Sequence, residues 1–176
     1  TLLELERCHD IAVIEAGTSV PGEIECLAGI AFPDVVVLTN ASGSHFEGFG
    51  SLEGIALEKG CLISGAKPDA TIILNADDFF YHYWCSLVGV RSVLSFGFDE
   101  TADLYAFDLV LGAKSSSAMF SYKGEILPVL VSGAGKHQVA NGMAVVLAML
   151  AVGVEFQTAV QKLAIPVLVS GRLERL

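Results

Sequence analysis

The sequence predicts an α/β fold, in which a mainly parallel, doubly wound sheet carries a small antiparallel sheet. Short, continuously apolar runs alternate with stretches of helical periodicity, which is typical of parallel strands buried on both faces. After Gly97 the segments alternate or turn tightly, as antiparallel strands do. Hydrophobic residues make up 53% and charged residues 17% of the 176 positions. That excess of apolar residues indicates a sheet covered on both faces, or a domain whose neighbouring domains lie outside this sequence.

The first half of the chain is predicted to contain four buried strands, over residues 11–14, 34–38, 71–74 and 93–96. A helix is expected to begin at Gly22-Glu23, and a second over 52–64. Ser51 is the predicted N-cap of the second helix, since its hydroxyl can accept a hydrogen bond from the first turn. A third helix, rich in aromatic residues, should follow the strand over 71–74 and run through Trp84.

The second half predicts an antiparallel arrangement followed by two helices. Strands are expected over 104–111, 118–122 and 125–131, and Lys123-Gly124 is a hairpin-turn signal between the last two. The helices are expected near 136–152 and 155–164. We find no linker, repeat or low-complexity segment in the sequence.

Composition excludes several classes of protein. A net charge of −10 and a pI near 4.7 argue against nucleic-acid binding, which requires a basic surface. The apolar stretch over 139–154 contains Asn141 and is short for a membrane span, so we expect a buried helix and a soluble protein. No secretory signal is recognisable. The cysteines form no CxxC pair, so we expect reduced, buried thiols rather than a zinc or redox site: Cys8, Cys26, Cys61 and Cys85.

Polar side chains follow three of the predicted strands. They are Glu15 after the first strand, Asn40 and His45 after the second, and Asn75, Asp77 and Asp78 after the third. Open parallel sheets bind ligands outside the carboxyl ends of their strands. The pattern therefore predicts a shared crevice at this edge of the sheet.

Lys59 lies on the apolar stripe of the helix over 52–64, seven residues after Leu52. Such a lysine can extend its ammonium into water, or it can direct the ammonium into the crevice. A protonated lysine has no lone pair for a metal, but a lysine carbamylated by CO₂ offers oxygens. It could then join Glu15 and His45 around Mg²⁺. Spacing alone leaves both interpretations open.

One segment resembles a phosphate-binding loop without being one. Residues 132–136 (SGAGK) follow a predicted strand and begin a helix. The Walker pattern requires glycine where Leu130 stands and a hydroxyl where His137 stands. Gln138 also breaks the dinucleotide-binding pattern. The 176 residues contain no Walker A loop.

Seven short strings, collinear over nearly the whole chain, are similar to those of one family. They are residues 15–24 (E-x-G-x-x-x-x-G-E-I), 44–51 (SHFEGFGS), 56–60 (A-x-x-K-G), 75–77 (NAD), 95–97 (SFG), 136–142 (KHQVANG) and 171–173 (GRL). Together they resemble the Mur ligase family, in the type that adds D-alanyl-D-alanine.

The resemblance implies an ATP-dependent amide ligase of peptidoglycan precursor synthesis in the bacterial cytoplasm. Such an enzyme joins D-alanyl-D-alanine to UDP-N-acetylmuramoyl-tripeptide through an acyl phosphate, with ATP and Mg²⁺. The resemblance implies that the metal ligands are Glu15, His45 and a carbamylated Lys59, and that Lys59 and His45 are also catalytic. It implies that His137 and Asn141 contact the adenine and that Arg172 contacts the ribose or a phosphate.

The resemblance also implies that residues 1–176 are the central ATP-binding domain of a monomeric enzyme, incomplete at its N-terminus. The phosphate loop is then expected before Thr1, the UDP-binding and C-terminal domains outside this chain, and the chain alone inactive. Ser19 and Val20 depart from the Asn-His usual in this ligase type. Two alternatives stay open: another Mur or folylpolyglutamate-type ligase, and a non-catalytic nucleotide-binding module.

Overall fold

A computed structural model describes residues 5–42 and 49–164 and shows a mixed α/β architecture. The elements are α1 (Glu23–Ala31), β1 (Val35–Leu38), α2 (Leu52–Ser64), β2 (Thr71–Asn75), α3 (Tyr81–Leu87), β3 (Ser92–Gly97), β4 (Leu104–Leu111), β5 (Ser115–Tyr122), β6 (Glu125–Ser132), α4 (Lys136–Ala151) and α5 (Phe156–Leu163).

The six strands form one sheet in the order β1-β2-β3-β4-β5-β6. The first four strands run parallel, with Val36 opposite Ile72 in the β1–β2 ladder. Strands β4, β5 and β6 continue the sheet in antiparallel pairs. The predicted combination of a parallel sheet with an antiparallel addition is confirmed.

Helices cover the sheet on both faces, and alternate residues of the central strands contribute to two separate cores. Ile72 and Leu74 of β2 pack with Trp84 of α3 in one core. Ile73, between them, packs with Met143 of α4 in the other. Because successive strand residues point to opposite faces, a fully apolar run such as this one is buried on both sides.

Two local predictions are confirmed at the level of single residues. The Ser51 hydroxyl accepts a hydrogen bond of 3.1 Å from the N–H of Gly54, which caps α2 as expected. Lys123 and Gly124 join β5 to β6 with φ angles of 50° and 84°. Two successive positive φ angles are what a tight two-residue hairpin turn requires.

The predicted strand over 11–14 is wrong. This segment has no regular secondary structure, and Ile11 and Val13 are 58% and 88% exposed. A strand needs a neighbour for its N–H and C=O groups, and no strand among the described residues pairs with this segment. Apolar side chains were therefore not sufficient to form one.

The expected burial of the cysteines is also wrong, although all four are free thiols. Cys8 and Cys26 are exposed, and Cys61 and Cys85 are only half-buried. Helix α1 buries Ile24 and Ala28, and Cys26 lies between them on the opposite side of the helix.

Helix α4 is the long apolar helix that the sequence predicted over 136–152. It packs against the sheet through residues such as Val139, Met143 and Leu147. Within the described ranges, no helix has the length and apolar character that crossing a membrane requires.

Candidate functional site

A cavity of about 260 Å³ lies where the carboxyl ends of β1 and β2 meet the first turns of α4. The predicted strand-end residues Asn40, Asn75 and Asp77 line it, together with the predicted adenine residues His137 and Asn141. The other lining residues are Thr39, Phe98, Lys136 and Ala140. The fold thus brings together predicted site residues from three segments that are distant in the sequence: Asn40, then Asn75 and Asp77, then His137 and Asn141.

Asn75 joins the ends of the two strands at this cavity. Its side-chain N–H donates to the Thr39 carbonyl at 2.8 Å, and its side-chain oxygen accepts from the N–H of Asp77 at 3.0 Å. The first bond holds the end of β1 beside the end of β2, and the second shapes the turn after β2. Asn75 therefore contributes to the shape of the cavity.

Asp77 links the same turn to the end of β3. Its carboxylate accepts a hydrogen bond of 3.0 Å from the N–H of Phe98. A Cβ at Gly97 would lie 3.2 Å from the Asp77 Oδ1 atom, closer than ordinary van der Waals contact. The missing side chain at Gly97 is what lets the carboxylate approach the backbone.

Lys59 reaches the loop after β1. Its half-buried ammonium donates a hydrogen bond to the carbonyl of Asn40, whose residue lines the cavity. Burial lowers the pKa of Lys59 below its ordinary value, and the nearby Asp78 carboxylate acts in the opposite direction. Through its hydrogen bond to the Asn40 carbonyl, the Lys59 ammonium lies against the backbone at the edge of the cavity.

Asp78 fixes the backbone around that lysine. Its carboxylate accepts hydrogen bonds from the N–H groups of Ala41 at 2.8 Å and Phe80 at 2.9 Å. These bonds connect the loop after β1 to the start of the segment that leads into α3. Asp78 thus combines a structural role with a negative charge close to Lys59.

The predicted metal site lies only partly within the described residues, so it stays a prediction. Glu15 is exposed in a segment without regular structure, and His45 lies outside the described ranges. Residues 5–42 and 49–164 contain no group of three or more His, Cys, Asp or Glu side chains that could hold a metal ion. As an ammonium, Lys59 cannot be a ligand. Arg172 also lies outside the described ranges.

Three residues with defined contacts were missed by the sequence interpretation. Glu58 is only 7% exposed, and its carboxylate accepts hydrogen bonds from the backbone at the start of α1. The available signal was that Glu58 follows the buried Ile55 by three residues and so lies on the same face of α2.

Phe98 and Lys136 form a cation–π contact in the cavity wall, with 4.0 Å between the ammonium and the ring centroid. No local pattern predicts that pairing.

Comparison with known proteins identifies the family. The profile of the Mur ligase middle domain matches residues 1–149. The chain belongs to the Mur ligase family. The UDP-N-acetylmuramoyl-tripeptide--D-alanyl-D-alanine ligase of Escherichia coli is 32% identical to this Mur ligase domain over 174 residues, which cover 98% of the chain and 38% of that relative. The ligase of the same name from Bacillus subtilis is 33% identical over 150 residues, 84% of the chain and 31% of the relative.

Solved structures share the fold of this Mur ligase domain. MurF from Acinetobacter baumannii superposes with a TM-score of 0.91 at 29% identity, over 98% of the chain and 38% of that protein. MurF from Thermotoga maritima in complex with ADP gives a TM-score of 0.72 at 32% identity, over 88% and 35% respectively. The chain therefore spans about two fifths or less of these relatives.

Proposed function

We propose that this Mur ligase middle domain binds the ATP of an amide ligase that joins D-alanyl-D-alanine to UDP-N-acetylmuramoyl-tripeptide in peptidoglycan precursor synthesis. The names of the E. coli and B. subtilis relatives support the substrates. The ADP complex of the T. maritima relative supports the nucleotide. The observation that carries the proposal is the cavity, which joins His137 and Asn141 to the ends of β1 and β2.

The cavity fits part of a nucleotide. Its volume of about 260 Å³ lies just below the range of about 300–1,000 Å³ typical of small-molecule sites. A base with its ribose is therefore a better match than a complete triphosphate. Within the described ranges, the side-chain amides of Asn40 and Asn141 make no hydrogen bond to other residues. Amides both donate and accept, as the edge of a purine requires.

The chain's residues would bind and orient the reactants in this proposal. When bound, ATP supplies the phosphoryl group that converts the peptide carboxylate into an acyl phosphate, which the amine of D-alanyl-D-alanine attacks. His137 and Asn141 would hold the adenine, and Arg172 the ribose or phosphate. For Mg²⁺ we propose Glu15, His45 and a carbamate on Lys59. The lowered pKa of Lys59 supports the carbamate, because only the neutral amine reacts with CO₂.

The free cysteines support an intracellular, reducing location, since disulfides form mainly in oxidising compartments. We therefore propose that the enzyme acts in the cytoplasm, and that it acts as a monomer.

The test is amide formation by the product of the complete open reading frame that encodes this chain. The enzyme is incubated with ATP, Mg²⁺, UDP-N-acetylmuramoyl-tripeptide and either D-alanyl-D-alanine or a single amino acid such as glutamate. Mass spectrometry should detect the pentapeptide product, with one ADP and one phosphate per amide, only with the dipeptide. A product only with glutamate indicates a different ligase of the superfamily. Nucleotide binding without any amide product indicates a non-catalytic module.

A further inference from the structure

One wall of the cavity is formed by Phe98 and Lys136. The Lys136 ammonium lies 4.0 Å from the centroid of the Phe98 ring. Phe98 is half-buried, packs against the core that includes α4, and also lines the cavity. Among the described lining residues, it contributes the one phenyl ring. The cavity therefore offers an aromatic surface that a cation occupies in this structure.

The position of Phe98 is held by residues behind it. The Asp77 carboxylate accepts a hydrogen bond from the Phe98 N–H, and Gly97 leaves space for that carboxylate. Asp77 is itself fixed by Asn75 through a hydrogen bond from its own N–H. The backbone of Phe98 is thus held to the turn that shapes the cavity, so little ordering is needed before a ligand can contact the Phe98 ring.

Lys136 is less constrained than Phe98. It is the first residue of α4, its side chain is exposed, and a flexible four-carbon stem carries its charge. A cation–π contact at an exposed site is weak, whereas stacking of a nucleic-acid base on an aromatic side chain is a stronger interaction. An arriving base should therefore displace the ammonium from the ring.

We propose that Phe98 is the surface on which the base of the nucleotide stacks, and that Lys136 covers this surface until the nucleotide binds. The displaced ammonium then turns towards the phosphates, whose negative charge attracts it. Phe98 thus binds the nucleotide directly, and Lys136 exchanges its contact with the Phe98 ring for a contact with the phosphates. The inference rests on the proposed nucleotide-binding function and assigns two further residues to it.

The test compares adenosine, which has a base but no phosphate, with ADP. Both are titrated calorimetrically into the complete gene product and its variants. Phe98→Leu should weaken both ligands by about tenfold, and Phe98→Tyr, which keeps a ring, by less than about twofold. Phe79→Leu is the matched control, because Phe79 is 88% exposed and does not line the cavity. It should change neither affinity.

Lys136→Met separates the two parts of the proposal. It removes the charge that covers the ring and keeps most of the stem, so adenosine should bind at least as tightly as to the wild type. ADP should bind up to about fivefold more weakly, the effect of one exposed charged contact. Weaker adenosine binding by this variant would overturn the covering role of Lys136.

Wild-type affinity of Phe98→Leu for both ligands, in a protein whose wild type binds ADP, would overturn this inference and leave the proposed function standing. A wild type that binds no adenine nucleotide would refute both. If Phe98→Leu does not fold, Phe98→Trp provides a second test, since stacking of adenosine should quench the emission of the new indole. Absence of quenching would overturn the proposal.

Discussion

The carboxylate of Glu58 accepts a hydrogen bond of 2.8 Å from the N–H of Ile24 in the first turn of α1. The same carboxylate accepts from the N–H of Gly22, at 2.9 Å and 3.0 Å to its two oxygens. These N–H groups have no partner within their own helix. Glu58 therefore caps α1 from a different helix, and it precedes Lys59 directly in the sequence. The contact fixes the position of α2, on which Lys59 lies, relative to α1.

Glu58→Ala should lower the free energy of unfolding by about 2–3 kcal/mol, because it removes charged hydrogen bonds and leaves buried N–H groups unpaired. Glu53→Ala is the matched control, an exposed carboxylate on the same helix, with an expected loss below about 1 kcal/mol. Urea denaturation of both variants provides the comparison. Equal losses would contradict a capping role for Glu58.

Acid should weaken the start of α1 through Glu23. Hydrogen bonds from the N–H groups of Ser19 and Val20, assisted by the Thr18 hydroxyl, hold the pKa of Glu23 below its ordinary value of 4.5. A carboxyl with a lowered folded-state pKa contributes stability above its unfolded pKa, and this contribution is lost as the pH falls through the folded value.

Glu23→Gln should therefore show a shallower loss of stability than the wild type between about pH 5 and about pH 3. Glu25→Gln, which removes an exposed carboxylate from the first turn of the same helix, is the control for loss of a charge. The measurement is the unfolding free energy of the wild type and both variants across this pH range. Parallel curves for wild type and Glu23→Gln would contradict the prediction.

Gly97→Ala should damage the cavity, because the added Cβ would lie 3.2–3.3 Å from the Asp77 carboxylate. We expect a loss of about 1–2 kcal/mol in unfolding free energy, together with weaker ADP binding. Gly29→Ala is the contrasting substitution, because nothing lies within 4 Å of a Cβ added at Gly29 in the last turn of α1. It should stabilise by about 0.5–1 kcal/mol. Similar effects of the two substitutions on stability and binding would argue against the close approach at Gly97.

Lys59→Ala should abolish turnover of the complete enzyme while leaving the fold nearly intact. The substitution removes one hydrogen bond to the Asn40 carbonyl, a loss of about 0.5–1.5 kcal/mol. If the carbamate binds metal, the loss should exceed the roughly 10–100-fold that removal of an outer-shell partner of a metal costs, and added acetate should restore part of the turnover. Near wild-type turnover, with no response to acetate, would show that Lys59 only supports the loop after β1.

Much of the fold was predictable because β1 and the centre of β2 pack against cores on both faces of the sheet and therefore consist of continuous apolar runs. The segment over 11–14 carries the same kind of run and forms no strand. An apolar run indicates that its side chains favour burial, but it does not show whether a neighbouring strand is present to form backbone hydrogen bonds with it.

The cavity was predictable in part. Asn40, Asn75 and Asp77 follow strands, and the strand-end rule for parallel sheets places such residues together. The Phe98–Lys136 contact was not predictable, because it depends on how α4 crosses the carboxyl edge of the sheet. Glu58 was missed for a similar reason, since its partners belong to α1 and are remote in sequence.

Binding of the ligase's nucleotide in this cavity is tested most directly by ADP titration of the complete gene product. Asn141→Ala should raise the dissociation constant for ADP by about tenfold, because it removes a side-chain amide available to a buried base edge. Gln161→Ala is the control, because Gln161 is exposed on α5 and is not among the residues that line the cavity, and this variant should bind ADP as the wild type does. Wild-type ADP affinity in a folded Asn141→Ala variant would contradict binding of the nucleotide in this cavity.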